Sequence, residues 1–252
     1  MRFALVLLCA VLVQLVGQPA SWAYQLVPIS RVFAPTGSKA TQSFEIMNDS
    51  TERIALTVSF ATLERDESYA ETNRDAGDEF LAYPAQMILA PGGRQTLRVT
   101  WLGAPDPTRE LVYRIIVTQV PIEQLGGAHV ADAPKGQVRM MLSYRGTLFI
   151  RPPKAAPDIA PQAVAPAIDA AGRRSLAITL ANAGTAVGLV KSCTVSAVPA
   201  DGGAAIALSP TELAALRNTR VLGGGRRRYV VPWPDGVPVR PMKAAGRCVV
   251  EP

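Results

Sequence analysis

Residues Val138–Pro153 read VRMMLSYRGTLFIRPP, and their alternation sets the fold class. Side chains in a strand alternate with a period of two, so Val138, Met140, Leu142 and Tyr144 fall on one face. Arg139, Met141, Ser143 and Arg145 fall on the other, and Arg151-Pro152-Pro153 ends the run. A strand with one aliphatic face and a second, basic and partly apolar face can serve a core and a partner at once.

The rest of the chain has the same character. Short apolar stretches are separated by Pro, Gly, Asn and Asp, and almost nothing has helical spacing, which predicts an all-β fold. Strands are expected near Leu26–Val32, Thr41–Asn48, Ile54–Leu63, Phe80–Leu89, Gln95–Trp101, Leu111–Pro121 and Val138–Ile150, the strand number of an immunoglobulin-like sandwich. Asn48-Asp49-Ser50 and Pro91-Gly92-Gly93 carry turn chemistry. Glu64 to Asp78, acidic and polar, reads as an exposed loop. Lys154 to Pro166, rich in Ala and Pro, reads as a stiff linker running into the first strand of a second unit. Further strands are expected near Ser175–Asn182, Leu189–Val198, Arg228–Val231 and Arg247–Val250, with Thr211–Leu216 as the one short helical segment. No internal repeat is visible.

The chain opens with a positively charged end at Arg2, an apolar run from Phe3 to Val16 and a small-x-small site at Ser21-Trp22-Ala23. Gln14 interrupts the run, which falls short of the roughly 20 residues that a membrane span requires. Residues 1–23 are therefore expected to be a signal peptide cleaved before Tyr24, with no membrane insertion afterwards. About 229 residues remain, enough for two ordinary domains. The expected division is 24–153 for the first domain, 154–166 for the linker and the start of the second, and 167–252 for its body. Cys9 leaves with the signal. For an exported chain, Cys193 and Cys248 then imply one disulfide, the alternative being two buried thiols.

Composition excludes several classes of function. The formal charge of +6 comes from arginine, densest in Gly223–Arg228 (GGGRRR), with no basic stripe interleaved with aromatics, so no nucleic-acid partner is expected. That cluster reads as a solvated hairpin or loop. Gly223-Gly224-Gly225 is no phosphate loop, because no GK[ST] follows. A single histidine, His129, leaves no multi-histidine metal cluster, and a triad would need it to meet a distant serine and acid. Glu64, Asp66, Glu67, Glu71, Asp75, Asp78 and Glu79 could supply a glycosidase pair, but on a loop with no aromatic platform they read as solvated. No catalytic residue, metal or cofactor is expected, which leaves a binding protein.

Ordered motifs then point to a family. They are Ser30-Arg31-Val32-Phe33, Phe44-Glu45-Ile46-x-Asn48, Tyr83-Pro84-x-Gln86, Leu89-x-Pro91-Gly92, Gln95-x-x-Arg98-Val99, Glu110-x-x-Tyr113-Arg114, Val120-Pro121-Ile122 and Leu148-Phe149-Ile150-Arg151-Pro152. With these the chain resembles the periplasmic pilus-assembly (PapD-like) chaperones of the chaperone–usher systems. The resemblance implies two immunoglobulin-like β-sandwich domains in an L, and a periplasmic protein that lends a strand to an incomplete pilus subunit until an outer-membrane usher takes the subunit over. The donor side chains it implies are Val138, Met140 and Leu142, with Tyr144 as a fourth. Arg31 matches the family's carboxylate anchor. The family's usual second anchor, a lysine four residues before the Arg-Pro pair, is here Thr147, and Arg145 is the substitute on the same strand face. Glu110 and Arg151 match an interdomain ion network, with Asp235 as its acid from the second domain. A free donor strand also invites pairing with a second copy, a self-capping dimer. The reading from another class is an exported two-domain adhesin or carbohydrate-binding sandwich.

Overall fold

The computed structural model describes residues 24–125, 141–234, 236–237 and 239–252, and within them the chain is built from β-strands and short 3-10 turns. The first unit holds β1 (Tyr24–Val27), β2 (Ser30–Phe33), β3 (Thr41–Asn48), β4 (Ile54–Thr62), β5 (Glu64–Arg65), β6 (Glu71–Thr72), β7 (Phe80–Tyr83), β8 (Gln86–Leu89), β9 (Arg94–Trp101), β10 (Leu111–Val120) and β11 (Ser143–Ile150). The second holds β12 (Ile159–Ile168), β13 (Arg174–Asn182), β14 (Gly188–Pro199), β15 (Ile206–Ala207), β16 (Thr219–Val221), β17 (Arg226–Pro232) and β18 (Met242–Glu251).

In the first unit a sheet ordered β1-β3-β9-β7 faces one ordered β2-β11-β10-β4-β8. Alternate residues of each, such as Phe44 and Ile46 against Ile115 and Leu148, close a dry core. Phe80 sits at its aromatic centre, stacked on Phe60 at 4.6 Å and edge-on to Trp101 and Tyr113 at 5.0 Å. Tyr113 donates to Glu79 Oε2 at 2.6 Å, and burial raises its pKa, with the carboxylate acting in the same direction. Two expected strands divide at proline. Leu26–Val32 becomes β1 and β2 around Pro28, and Phe80–Leu89 becomes β7 and β8 around Pro84, each half in a different sheet. Proline has no N–H to continue a ladder, and all four halves lie at sheet edges, where that loss is tolerated.

The second unit pairs β12-β13-β17 in one sheet and β15, β16 and β18 with β14 in another, around a separate core that includes Leu176, Ile178, Leu180 and Val190. Cys193 and Cys248 face one another across β14 and β18 and are joined by a disulfide. The Ala/Pro stretch is a linker only in its first part. From Ile159 it is strand, because Ile159 and Val164 turn into the core while its prolines stand on an edge strand. Thr211–Leu216 yields a single 3-10 turn, Ala214–Leu216, being too short to sustain an α-helix.

One device occurs in both units. Asn48, fully buried at the end of β3, donates through Nδ2 to the carbonyls of Glu52, Leu89 and Ala90 at 2.8, 3.2 and 2.9 Å. Its backbone clasps the Pro91-Gly92-Gly93 turn, with Asn48 N donating to Gly93 O and Gly92 N to Asn48 O. Asn182, at the end of β13, donates to Ala186 and Val221 carbonyls at 2.8 and 3.0 Å and clasps Gly223-Gly224-Gly225 in the same manner. Gly92 and Gly224 take the same left-handed φ, 69° and 71°, which explains a glycine at each turn. The glycine run is thus the second unit's counterpart of the Pro-Gly-Gly turn, and each is followed by an arginine that opens the next strand, Arg94 and Arg226. Replacing Asn48 or Asn182 by alanine removes the donor from these carbonyls, at about 1–3 kcal/mol for one left buried and less for one that water can reach. Each variant is expected to lose about 2–4 kcal/mol in urea unfolding.

Candidate functional site

β11 lies between β10 and β2, but unequally. β10 pairs with it from Ser143 to Ile150, whereas β2 pairs in parallel only from Thr147 to Ile150. Gln119 N donates to Leu142 O on the β10 side, so Ser143 and Arg145 direct their backbone groups the other way. No strand among the described residues meets them there, and the ladder on that side resumes only where Thr147 N donates to Ile29 O at 2.9 Å. The first half of β11 is therefore an open sheet edge beside a closed one.

Of the expected donor side chains, Val138 and Met140 lie outside the described residues. Leu142 and Tyr144 are half-buried against the chain's own core. Tyr144 sits edge-on to Tyr24 at 4.8 Å, and the Tyr24 hydroxyl donates to Val117 O at 2.5 Å and contacts the Leu142 carbonyl and Tyr144 amide. Burial pushes the Tyr24 phenol up to about 12. Tyr144, like Leu142, thus packs on the chain's own core at the base of the segment.

The two expected anchor arginines do not share a face. Arg31 pairs in register with the buried Leu148, so it projects on the core side of the sheet, and from the open edge it donates to Ser43 O at 3.3 Å. Arg145 projects from the outer face. There it lines a depression of about 380 Å³ with Ser30, Thr147 and Phe149 of its own sheet region, Arg65 and Tyr69 of the β5–β6 hairpin, and Val187, Arg220 and Leu222 of the second unit. The parity of a strand separates the two arginines, and only the register of β2 on β11 reveals it.

Thr147 is not left without a cation. Its cross-strand partner is Arg114, whose Nη1 donates to Thr147 Oγ1 at 2.6 Å. The positive charge expected at this place on the sheet comes from the neighbouring strand. Arg114 is in turn gripped by both oxygens of Glu71, at 2.9 and 2.5 Å, and Arg65 reaches the same carboxylate at 2.6 Å. Hydrogen bonds from Arg114 hold the Glu71 carboxyl down at about 2, against the opposing effect of burial. The acidic stretch is therefore not simply solvated: Glu71 and Glu79 turn inward, while Glu64 and Asp66 stay at the surface.

The same hairpin reaches the second unit. Glu67 accepts the Arg228 amide on its backbone oxygen at 2.7 Å and pairs with Arg226 at 3.4 Å. The Tyr69 ring lies between the Arg65 and Arg227 guanidiniums, 4.0 and 3.5 Å from its centroid. GGGRRR thus holds a turn and then a clasp rather than a solvated loop. A second joint is Glu110, whose side chain is wholly buried. It accepts Arg151 Nε at 3.0 Å and the Val187 amide at 3.2 Å, while its own amide donates to Thr185 O at 2.8 Å. The expected pair of Glu110 and Arg151 is present; Asp235 lies outside the described residues, and the link across the seam is made by backbone. His129 also lies outside them.

The profile of a family described as "Pili and flagellar-assembly chaperone, PapD N-terminal domain" matches residues 27–156, just over half of the chain. Among solved structures, the class 5 fimbriae chaperone CfaA is 13% identical, with 90% of this chain and 98% of that one covered and a TM-score of 0.55. The E. coli chaperone DraB is 16% identical over 85% and 86%, with a TM-score of 0.51. A chain of the Salmonella enterica complex of the SafA pilin with the SafB chaperone is 12% identical over 93% and 99%, with a TM-score of 0.52. No curated protein matches the chain in sequence. At these identities the structures share the fold.

Glu71 generates a prediction about acid. Its folded pKa lies below the ordinary carboxylate value, so its contribution to stability is full above about pH 4.5 and is lost as pH falls toward 2. Glu71→Gln should therefore flatten the fall in stability between pH 5 and pH 2.5 in urea titrations, and an unchanged pH slope would remove Glu71 from that role.

Proposed function

We propose, for a chain that belongs to the pili and flagellar-assembly chaperones with a PapD N-terminal domain, that it binds incomplete immunoglobulin-like pilus subunits by donor-strand complementation. The observation that carries this reading is the open half of β11. Ser143 and Arg145 present backbone groups that no strand among the described residues pairs, and a strand added there gains ladder hydrogen bonds as well as side-chain contacts. The donor face is Val138, Met140 and Leu142. Burying each such side chain is worth roughly 1.5–3 kcal/mol before the costs of association, consistent with a complex that holds a subunit and still releases it. Leu142, half-buried on the chaperone's own core, marks the point where the lent segment ends and the strand of the fold begins.

The protein acts in the periplasm, reached with the 1–23 signal, and hands its subunit to an outer-membrane usher; in the free state the same edge caps itself on a second copy. It works by binding, without catalysis or cofactor. Among the described residues no helix is long and apolar enough to cross a membrane. The carboxylate anchors are Arg145, which faces the seam, and Arg31, which projects from the other side of the sheet and donates to Ser43 O. Family membership sets aside the adhesin or carbohydrate-binding reading.

Co-expression with a pilus subunit lacking its last strand is expected to give a one-to-one complex. Met140→Asp should cut its recovery at least about tenfold, since a charge cannot enter an apolar groove unpaired. Leu142→Asp should do the same, with unfolding curves to separate lost capture from lost fold. Undiminished capture by a folded Met140→Asp protein would overturn the donor-strand assignment.

A further inference from the structure

The open half of β11 is short and thinly held. Its ladder with β10 begins at Ser143, its outward backbone groups are those of Ser143 and Arg145, and at Gly146 the chain between β1 and β2 crosses over it. A β-carbon at residue 146 would stand 2.8 Å from Ile29 O and 2.7 Å from Ile115 Cγ2, so glycine is what lets that crossing come close and end the edge. A strand end with a neighbour on one side only is prone to fray, and fraying past Arg145 would remove the edge altogether.

What holds that end comes from the opposite sheet. Tyr24, the first residue of β1, is 1% exposed, and its ring lies edge-on to Tyr144. Its hydroxyl donates to Val117 O of β10 at 2.5 Å, receives the Tyr144 amide at 3.3 Å and stands 3.3 Å from Leu142 O. Val117 and Tyr144 face one another in the β10–β11 register, so one phenol bridges both strands at the end of their ladder. Tyr24 is itself held in place by β3, where its register partner is the buried Asn48. Thr118 Oγ1 and Ser143 Oγ, 3.0 Å apart, add a tether on the exposed face but bond no backbone.

We propose that Tyr24 is a positioning residue for strand addition: its phenol, reaching across the sandwich, latches the start of β11 to β10 and keeps the Ser143–Arg145 edge extended and ready to receive another chain. An edge ordered in advance removes a cost that the incoming strand would otherwise carry. With residues 1–23 removed as a signal, Tyr24 is the first residue of the exported protein, and a cut one residue later would remove the latch. That a pilus subunit supplies the added strand rests on the chaperone reading above; the latch itself does not.

The test compares Tyr24→Phe, which keeps the ring and removes the hydroxyl, with Tyr113→Phe, which removes another buried hydroxyl, on β10, that bonds Glu79 instead. Both are made in the full chain, and urea unfolding measures the stability that each loses. Hydrogen exchange of the Gln119 amide, which bonds Leu142 O and not Tyr24, reads whether the β10–β11 end opens. Exchange there is expected to rise about tenfold in Tyr24→Phe, and in Tyr113→Phe only as far as global stability falls. Recovery of the complex with a co-expressed pilus subunit lacking its last strand is expected to fall about fivefold in Tyr24→Phe and less than about twofold in Tyr113→Phe. A role in stability alone would lower recovery in both variants in proportion to the stability lost. Unchanged Gln119 exchange in Tyr24→Phe, or losses of recovery that simply follow stability, overturn the proposal. The exchange measurement needs no subunit, and capture by the unaltered protein reads the chaperone function separately, so either conclusion can fail while the other stands.

Discussion

The buried carboxylate of Glu110 is the constraint on which the arrangement of the two units depends. A charge with no solvent contact must be met by donors, and here they come from both sides of the seam, the Arg151 guanidinium from the first unit and the Val187 amide from the second. Moving the units apart would leave that charge half-satisfied in an apolar setting. The β5–β6 clasp adds a second attachment some distance along the chain, and two attachments fix an angle where one would leave a hinge. Everything that lines the seam, including Arg145 and Arg220, takes its position from this pair of joints.

Proline placement organises the first sandwich in a comparable way. Each of the two proline-interrupted segments supplies one edge strand to each sheet, so the chain crosses from one layer of the sandwich to the other where a proline ends the ladder. β11 is the exception, an inner strand for half its length and an edge for the other half. The half of β11 that β2 leaves uncovered is what makes that edge available for another chain.

The all-β class, the strand positions and the covalent cysteine pair were legible in the sequence because alternation and turn residues are local signals. Thr41–Asn48 is a strand over the very residues its pattern marks. What local pattern cannot show is which strands share an edge or a face. Arg31 and Arg145 look equivalent as basic residues in strands, and only register puts them on opposite sides of the sheet. The importance of Glu71 was hidden for a similar reason. An acidic, polar stretch has the composition of a solvated loop, and its inward-facing member is identified by Arg114 arriving from a strand more than forty positions along the chain. The likeness of Asn48 and Asn182 lies in backbone bonds around one side chain, which the shared Gly-Gly-Arg of the two turns marks but does not explain.

The loop that Asn182 shapes is also the loop that receives Glu110. Asn182 Oδ1 accepts the Gly184 amide and its Nδ2 holds Ala186 O, and Thr185 and Val187, interleaved with these, bond to Glu110. Loosening the seam and melting this corner of the second sandwich are therefore one event. The amides of Glu110, Val187 and Gly224 thus belong to one hydrogen-bonded corner, and swinging the units apart breaks the bonds that hold that corner folded.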